Sequence, residues 1–245
     1  MQRAVRVFDD LESMSLTVAA AVAELAADST GPFSIALSGG DTPNRLYELL
    51  SDESTGIDWK NLHLFWGDER FVPHGDKSSN FGSAKRALLD RIDIPEENIH
   101  GIPVDAQAAA DAAVIYEKEL RDFFGIREDG FPRFDLVLLG LGDDGHTASI
   151  FPGDPVIDER KKWVSAVIAP AGVVPAERIT LTLPVINSAK AVFFLISGES
   201  KADVLHDILF MGRMAEDQYP GARISPDGSL VWFVDRAAYG GDLDS

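Results

Sequence analysis

The side chain best suited to chemistry is that of His146, which follows Asp144 by two residues in a glycine-rich segment. Imidazole changes its charge near neutral pH, so it can serve as a general base, and a nearby carboxylate can orient the ring. None of the other four histidines stands among glycines after a predicted strand. The pattern favours His146 as a general base; the alternative is a histidine that only caps the following helix.

The sequence offers no covalent nucleophile. The chain has no cysteine, no G-x-S-x-G motif and no H-E-x-x-H or other clustered histidines. A thiol nucleophile and a thiolate metal site are therefore excluded, and a nucleophile elbow or a dedicated metal site is not indicated. We expect a metal-free site in which an activated water molecule attacks the substrate.

A glycine-rich loop after the first buried strand is a candidate anion site. Gly39 and Gly40 permit a tight turn and close approach to a ligand, while Ser38 and Thr42 supply hydroxyl groups. A helix is predicted to follow, with Thr42 as its N-cap and Pro43 at its first position, N1. Its free N–H groups and positive dipole end would face an anion. The alternative is an ordinary strand-to-helix turn.

Two basic residues are candidates for the same anion. Lys201 stands at the predicted start of a helix, where the helix dipole disfavours a cation unless an anion is bound nearby. Arg178 opens a predicted strand after a proline-containing loop. A charged hydrogen bond from either to a phosphate would contribute about 1.5–3 kcal/mol. The alternative for each is a solvated surface base.

The periodicity of apolar residues predicts strands that alternate with helices. The predicted strands are 3–8, 33–37, 61–66, 134–139, 163–168, 179–183, 191–196 and 230–234, and the predicted helices are 10–28, 42–50, 81–89, 106–124 and 201–210. Apolar strands in this alternation are typical of an α/β fold with a largely parallel sheet covered on both faces. We expect one domain over 1–245, a small subdomain around 92–131 and a frayed tail at 239–245.

Four of these strands run directly into polar or glycine-rich segments. The segments are Ser38–Pro43, Gly67–Arg70, Gly140–Thr147 and Ser197–Lys201. In an open α/β sheet the carboxyl ends of the strands share one edge, where ligands bind, so we expect these segments to form one crevice. One of them contains a G-x-G-x-x-G match, but two adjacent aspartates stand where a dinucleotide pyrophosphate would need neutral donors. We reject a dinucleotide site there.

The composition is that of a globular protein with an acidic surface. Lysine and arginine total 22 against 40 aspartate and glutamate residues, a formal net charge of −18. Such a surface repels nucleic acid and anionic lipid, so neither is an expected partner. The sequence has no apolar run of membrane-span length and no signal-peptide pattern. Together with the absence of cysteine, these features favour the cytoplasm.

The motifs taken together resemble the 6-phosphogluconolactonase family. They are Leu37–Pro43, Gly67–Pro73 followed by Ser79-Asn80, Gly140–Gly153 and Arg178–Pro184, in the order found in that family. The resemblance extends from about residue 33 to residue 201. It implies a Rossmann-like three-layer sandwich of the glucosamine-6-phosphate deaminase and ribose-5-phosphate isomerase type. It also implies hydrolysis of 6-phospho-D-glucono-1,5-lactone without a cofactor. We expect the protein to be a monomer or a weak homo-oligomer.

The resemblance also assigns roles to individual residues. It makes His146 the general base with Asp144 as its companion, and it places Arg70 in the active site. The implied phosphate-binding residues are Ser38, Gly39, Gly40, Thr42, Arg178 and Lys201. Asp41, an acid within this loop, would need its side chain turned outward.

Two rival functions remain open at this point. A deaminase-isomerase of the same fold would have tyrosine in place of Arg70 and an acid in place of Phe151, so this chain departs from that pattern twice. A non-catalytic sugar-phosphate sensor would need a DNA-binding module, and no basic helix-turn-helix segment is present.

Overall fold

The alternation of strands and helices predicted from the sequence is present in the computed structural model, which describes residues 2–126 and 128–240. The elements in chain order are β1 (Gln2–Phe8), α1 (Leu11–Ala27), β2 (Phe33–Leu37), α2 (Asp41–Leu50), β3 (Leu62–Trp66), β4 (Asp68–Arg70), α3 (Asn80–Ala87), β5 (Ile99–His100), α4 (Ala109–Phe124), β6 (Leu136–Leu139), β7 (Val164–Ile168), β8 (Glu177–Leu181), α5 (Leu183–Asn187), β9 (Ala191–Ile196), α6 (Ala202–Phe210), α7 (Arg213–Gln218), β10 (Ser229–Asp235) and α8 (Arg236–Tyr239). The predicted frayed tail lies mostly outside the described residues.

The main sheet confirms the predicted α/β fold. Within the described residues it has seven strands in the order β1-β10-β9-β6-β2-β3-β5, and every adjacent pair is parallel. The central strands β2, β6 and β9 are buried along their whole length, as expected for strands covered on both faces. Helices cover both faces, which makes the chain a Rossmann-like three-layer sandwich.

A second, antiparallel sheet was not expected from the sequence. Within the described residues it has three strands in the order β4-β8-β7, and it takes up two segments that were predicted simply as further strands of the domain. Gly67 joins the two sheets, because its N–H donates to the carbonyl of Leu37 at 2.8 Å and its carbonyl accepts from the N–H of Leu181 at 2.8 Å. The apolar pattern of a strand does not tell which sheet the strand will join.

The start of α2 differs from the prediction. Thr42 was predicted as the N-cap, but Gly40 holds that position with φ +107°, and the helix begins at Asp41. Glycine adopts this backbone conformation without steric cost, and a carboxylate in the first turn interacts favourably with the helix dipole. Pro43 is therefore the third residue of the helix and not the first as predicted, but its missing N–H would have no partner within the helix at this position either.

Two buried tyrosines fasten the ends of neighbouring strands. The Tyr47 hydroxyl donates to the carbonyl of Ser38 at 2.7 Å and accepts from its N–H at 3.0 Å. The Tyr116 hydroxyl makes the same pair of bonds to the backbone of Trp66, at 3.1 and 2.9 Å. Burial raises the pKa of both phenols, so both stay neutral and able to donate. The chain is thereby held where β2 and β3 lead into the polar loops.

A row of three polar side chains crosses from β3 and β5 to α4. His63 Nδ1 lies 3.1 Å from His100 Nε2, and His100 Nδ1 lies 2.7 Å from Glu119 Oε1. The ring of Phe65 stacks on His100 with centroids 4.2 Å apart. Burial, and then the neighbouring His100, lower the pKa of His63.

Within the described residues, no helix is long and apolar enough to cross a membrane.

This row should make folding sensitive to acid. Because the pKa of His63 is lower in the folded protein, the unfolded chain binds more protons below the ordinary histidine value of about 6.5. We expect the wild type to lose stability as the pH falls from 7 to 5, and His63→Phe to lose less over that range. Urea unfolding at pH 7 and pH 5 measures the difference. His206→Phe, at an exposed histidine, is the control, and an equal loss in both variants would contradict the assignment.

Candidate functional site

The polar segments at the strand ends surround one cavity of about 430 Å³. It lies at the carboxyl ends of β2, β3, β6 and β9, where the sequence predicted a crevice. Eight of the nine predicted site residues line it: Ser38, Gly39, Gly40, Thr42, Arg70, His146, Arg178 and Lys201. The ninth, Asp144, contacts His146 directly. The structure therefore brings all nine together, although their roles in binding and catalysis stay predictions.

The loop after β2 closely approaches α3. A Cβ atom on Gly39 would lie only 1.8 Å from Asn80 Oδ1, so glycine is required at this position for steric reasons. Gly40 then turns the chain into α2, whose first three residues, Asp41, Thr42 and Pro43, line the cavity. Asp41 lines the cavity and is exposed, and the expectation that its side chain turns outward from a bound anion stays a prediction.

Two guanidinium groups oppose each other across the antiparallel sheet. Arg70 on β4 is in direct register with Arg178 on β8, and both line the cavity. Arg178 is buried and donates through Nε to the carbonyl of Pro175 at 2.8 Å. Burial, and then the charge of Arg70, lower the pKa of Arg178. Like charges directly opposite on a sheet are destabilising, so the pair is suited to share a bound anion.

Three cavity-lining residues also hold buried polar atoms that have no hydrogen-bond partner in the described part of the chain. They are Ser38 Oγ, Arg70 Nε and Asn80 Oδ1. Most buried polar atoms in folded proteins are paired, so such a cluster marks a place that a polar ligand can satisfy. The set contains a donor, an acceptor and a hydroxyl that can do either. It suits a ligand that carries both hydroxyl groups and anionic oxygens.

Lys201 already has a carboxylate partner. Its ammonium forms an ion pair with Asp143, and the hydroxyl of Ser200 donates to the same Oδ1 atom at 3.1 Å. This lysine lowers the pKa of Asp143. The sequence predicted an anion beside Lys201 on helix-dipole grounds, and in the structure a side chain of the protein supplies one. A phosphate that binds Lys201 must therefore share it with Asp143 or displace Asp143.

The His146 imidazole is oriented by its own turn. Asp144 Oδ1 lies 2.5 Å from His146 Nδ1 and also accepts the backbone N–H of His146 at 3.1 Å. The hydrogen bond to His146 lowers the pKa of Asp144, so the carboxylate is ionised and only accepts. Nδ1 must then carry the proton, which leaves Nε2 with the free lone pair. The arrangement suits a general base.

Glycine is required next to this imidazole. A Cβ atom on Gly142 would lie 2.0 Å from His146 Nδ1, and the Gly142 N–H donates to the carbonyl of His146 at 2.8 Å. Gly145, with φ +79°, completes the turn by donating to the carbonyl of Gly142 at 3.0 Å. The glycines that formally match a dinucleotide motif therefore form the turn that positions His146.

Sequence reasoning gave no role to two buried acids that follow Gly67. Glu69 is fully buried and accepts the backbone N–H groups of Arg70, Asn80 and Phe81, each at 2.7 Å. Burial raises the pKa of Glu69, while these N–H groups oppose that shift. Asp68 lines the cavity and accepts from Ser149 Oγ at 2.6 Å. The sequence feature that could have indicated both residues is their position as consecutive acids just after a buried strand.

Asn80 was also missed as a cavity residue, although it lies in a motif that the sequence analysis singled out. Its Nδ2 donates to the carbonyl of Asp68 at 2.9 Å, which leaves Oδ1 toward Gly39.

In the described part of the chain, no group of three or more histidine, aspartate or glutamate side chains is suited to hold a metal ion.

Comparison with known proteins places the chain in a family. The model of the glucosamine-6-phosphate isomerases/6-phosphogluconolactonase family matches residues 9–232. The chain belongs to this family. A 6-phosphogluconolactonase from the cyanobacterium Synechocystis is 43% identical over 208 residues, which cover 85% of this chain and 84% of the relative. The resemblance recognised from the sequence motifs is thereby confirmed.

Solved structures of family members have the same architecture. A 6-phosphogluconolactonase from Trypanosoma cruzi is 31% identical and superposes with a TM-score of 0.85, covering 100% of this chain and 99% of the other. A monomeric glucosamine-6-phosphate deaminase superposes with a TM-score of 0.83 at 22% identity, which shows a shared fold alone. The fold is therefore common to both activities of this family, and only the residues of the cavity can distinguish them.

In this family member, removal of Asp143 should strengthen anion binding. An Asp143→Asn variant loses the internal partner of Lys201, so a dianion no longer competes for that ammonium. Exposed ion pairs contribute about 0.2–1 kcal/mol, so we expect inorganic phosphate to bind up to about five-fold more tightly. Calorimetric titration measures this change. Asp41→Asn removes the same charge from the lining of the cavity, at a residue that forms no ion pair within the described residues, and an equal gain in both variants would contradict a specific role for Asp143.

Proposed function

We propose that the protein hydrolyses 6-phospho-D-glucono-1,5-lactone to 6-phospho-D-gluconate, the second step of the oxidative pentose phosphate pathway. The proposal rests on one observation: His146, whose imidazole is oriented by a carboxylate, lines the same cavity as Arg70 and Arg178. The named activities of the cyanobacterial and trypanosomal relatives support it. The enzyme is a carboxylic ester hydrolase that acts on a lactone.

The phosphate group is held at the glycine loop. Backbone N–H groups at the start of α2 and the hydroxyls of Ser38 and Thr42 surround it, and Arg178 and Lys201 supply positive charge. The site suits a dianion because hydrogen bonds from charged donors to phosphate contribute more than neutral ones. With a net charge of −18, the protein repels anions at long range, so this local cluster must supply the attraction.

The reaction begins with the activation of water. His146 Nε2 takes a proton from a water molecule, whose oxygen attacks the C1 carbonyl of the lactone. Asp144 stabilises the imidazolium through its bond to Nδ1. The carbonyl oxygen becomes an oxyanion that accepts hydrogen bonds from Arg70 or from backbone N–H groups. Stabilisation of this kind contributes about 3–4 kcal/mol, and general base catalysis about 10²–10⁴-fold.

The tetrahedral intermediate then collapses. The bond between C1 and the ring oxygen breaks, and the imidazolium returns its proton to that oxygen, which becomes the C5 hydroxyl of the product. The net change is the addition of one water molecule across the ester bond, so no cofactor is needed. We expect the enzyme to work in the cytoplasm as a monomer or a weak homo-oligomer, without nucleic acid or membrane partners.

Loss of the imidazole should remove catalysis but not binding. We expect His146→Asn to lower kcat for the lactone by about 10²–10⁴-fold because water activation is lost. The affinity for inorganic phosphate, measured by calorimetry, should change by less than two-fold. His206→Asn at an exposed site is the matched control. Near-normal turnover by His146→Asn would remove this residue from the base role.

Substitution of the two arginines should affect different kinetic constants. If Arg70 stabilises the oxyanion, Arg70→Gln should lower kcat by about 10²–10³-fold and leave KM nearly unchanged. If Arg178 binds phosphate, Arg178→Gln should raise KM by about 10–100-fold, the equivalent of a charged hydrogen bond of 1.5–3 kcal/mol. Steady-state kinetics of both variants test the assignment, with far-ultraviolet circular dichroism to confirm folding. The opposite pattern would exchange the two roles.

Glucosamine 6-phosphate tests the rival deaminase activity. Phe151 stands where the deaminase pattern has an acid, and its ring lies 4.7 Å from the His146 ring, so an apolar group contacts the imidazole there. Purified protein should hydrolyse the lactone and leave glucosamine 6-phosphate unchanged when both are assayed side by side. Turnover of the amino sugar without turnover of the lactone would overturn the proposal, and binding of both without turnover would indicate a sensor.

A further inference from the structure

The His146 turn is supported from outside by the segment that follows α7. The N–H of Gly221 donates to the carbonyl of Gly145 at 2.9 Å. A Cβ atom on Gly145 would lie 2.4 Å from Cδ1 of Tyr219, so the tyrosine ring occupies the space directly beside the turn. Tyr219 is distant from His146 in sequence, and neither relation follows from the motifs.

The tyrosine ring is itself held in place. The Tyr219 hydroxyl donates to Asp207 Oδ2 on α6 at 2.9 Å, and the Tyr219 N–H donates to the carbonyl of Ala215 at 2.7 Å. The side chain is partly buried against the hydrophobic core. The hydroxyl of Tyr219 is therefore held by α6 and its backbone by α7.

Glycine 221 allows the two segments to approach. A Cβ atom there would lie 2.8 Å from Leu141 Cδ1 and 3.3 Å from the carbonyl oxygen of Gly145. The contact thus involves close packing on both sides: glycine in the turn faces the tyrosine, and glycine after the tyrosine faces the turn.

We propose that Tyr219 is a positioning residue that fixes the Gly142–His146 turn and so the direction of the His146 imidazole. It does not line the cavity and takes no part in proton transfer. Because Asp144 belongs to the same turn, its bond to His146 moves with the turn. Loss of the Tyr219 ring should therefore displace the pair as a unit relative to the substrate, while the glycine-rich loop after β2 and Arg178 stay in place.

The kinetic form of this inference depends on the proposed lactonase activity. A misplacement of about 1 Å can cost about 10²-fold in rate, so we expect Tyr219→Ala to lower kcat by 10–100-fold. KM for the lactone and the calorimetric affinity for inorganic phosphate should each stay within about two- to three-fold of the wild type, because phosphate is anchored by other elements. Tyr219→Phe, which keeps the ring and loses only the hydroxyl, should recover most of kcat.

A second measurement does not depend on activity. The imidazole of His146, observed by nuclear magnetic resonance in protein with labelled histidine and assigned by comparison with His146→Asn, should give one sharp signal in the wild type and in Tyr219→Phe. In Tyr219→Ala we expect a broadened or multiple signal. Met214→Ala, which truncates an exposed side chain on α7, is the control and should leave both kcat and the signal unchanged.

The outcomes separate the two proposals. An unchanged His146 signal and kcat within two-fold in Tyr219→Ala would overturn the positioning role. An equal loss of kcat and phosphate affinity would also overturn it, since that pattern indicates collapse of the whole site. If the wild type shows no lactonase activity but the signal of Tyr219→Ala still broadens, the proposed function fails and the positioning role stands. If Tyr219→Ala does not fold, Tyr219→Leu replaces it in both measurements.

Discussion

The backbone N–H and carbonyl of Gly67 connect the two halves of the site. Its N–H bonds to β2 of the parallel sheet and its carbonyl bonds to β8 of the antiparallel sheet, so the chain leaves one sheet and enters the other within a single residue. Because of this junction, Arg70 lies on a strand opposite Arg178 instead of on the loop of an ordinary α/β sheet. The parallel sheet contributes the glycine-rich loop Ser38–Pro43 and the imidazole, and the antiparallel sheet contributes the guanidinium groups.

Two basic groups of the site each have a carboxylate partner. Lys201 is partnered by Asp143 and His146 by Asp144, and these two acids are consecutive residues in one turn. Within the described residues neither arginine forms an ion pair with a carboxylate, and the two donate instead to the backbone carbonyls of Pro175 and Ser78. An incoming anion therefore finds two guanidinium charges that neutral acceptors only partly satisfy. In a protein with a large negative charge, this difference distinguishes the cavity from the rest of the surface.

Much of this arrangement could be predicted from the sequence, and the reasons are local. Buried apolar strands that run into glycine-rich loops identify the parallel sheet and its ligand-binding edge, and a histidine among glycines identifies the general base candidate. The strand β4 is only three residues long, too short for any periodicity, so the second sheet could not be predicted. The partner of Lys201 and the support from Tyr219 could not be predicted either, because both join residues that are far apart in the chain. The N-cap of α2 was misjudged because a glycine with positive φ replaced the side-chain cap that threonine would have provided.

The tyrosine bonds that fasten the ends of β2 and β3 have a thermodynamic consequence. Tyr47 binds the backbone N–H and carbonyl of Ser38 before any ligand arrives, and Gly39 is packed against Asn80. The conformational entropy of this loop is therefore lost when the protein folds and not when a ligand binds. A ligand that enters the cavity gains most of its contact energy without a further ordering cost, and recognition here depends on preorganisation more than on the number of contacts.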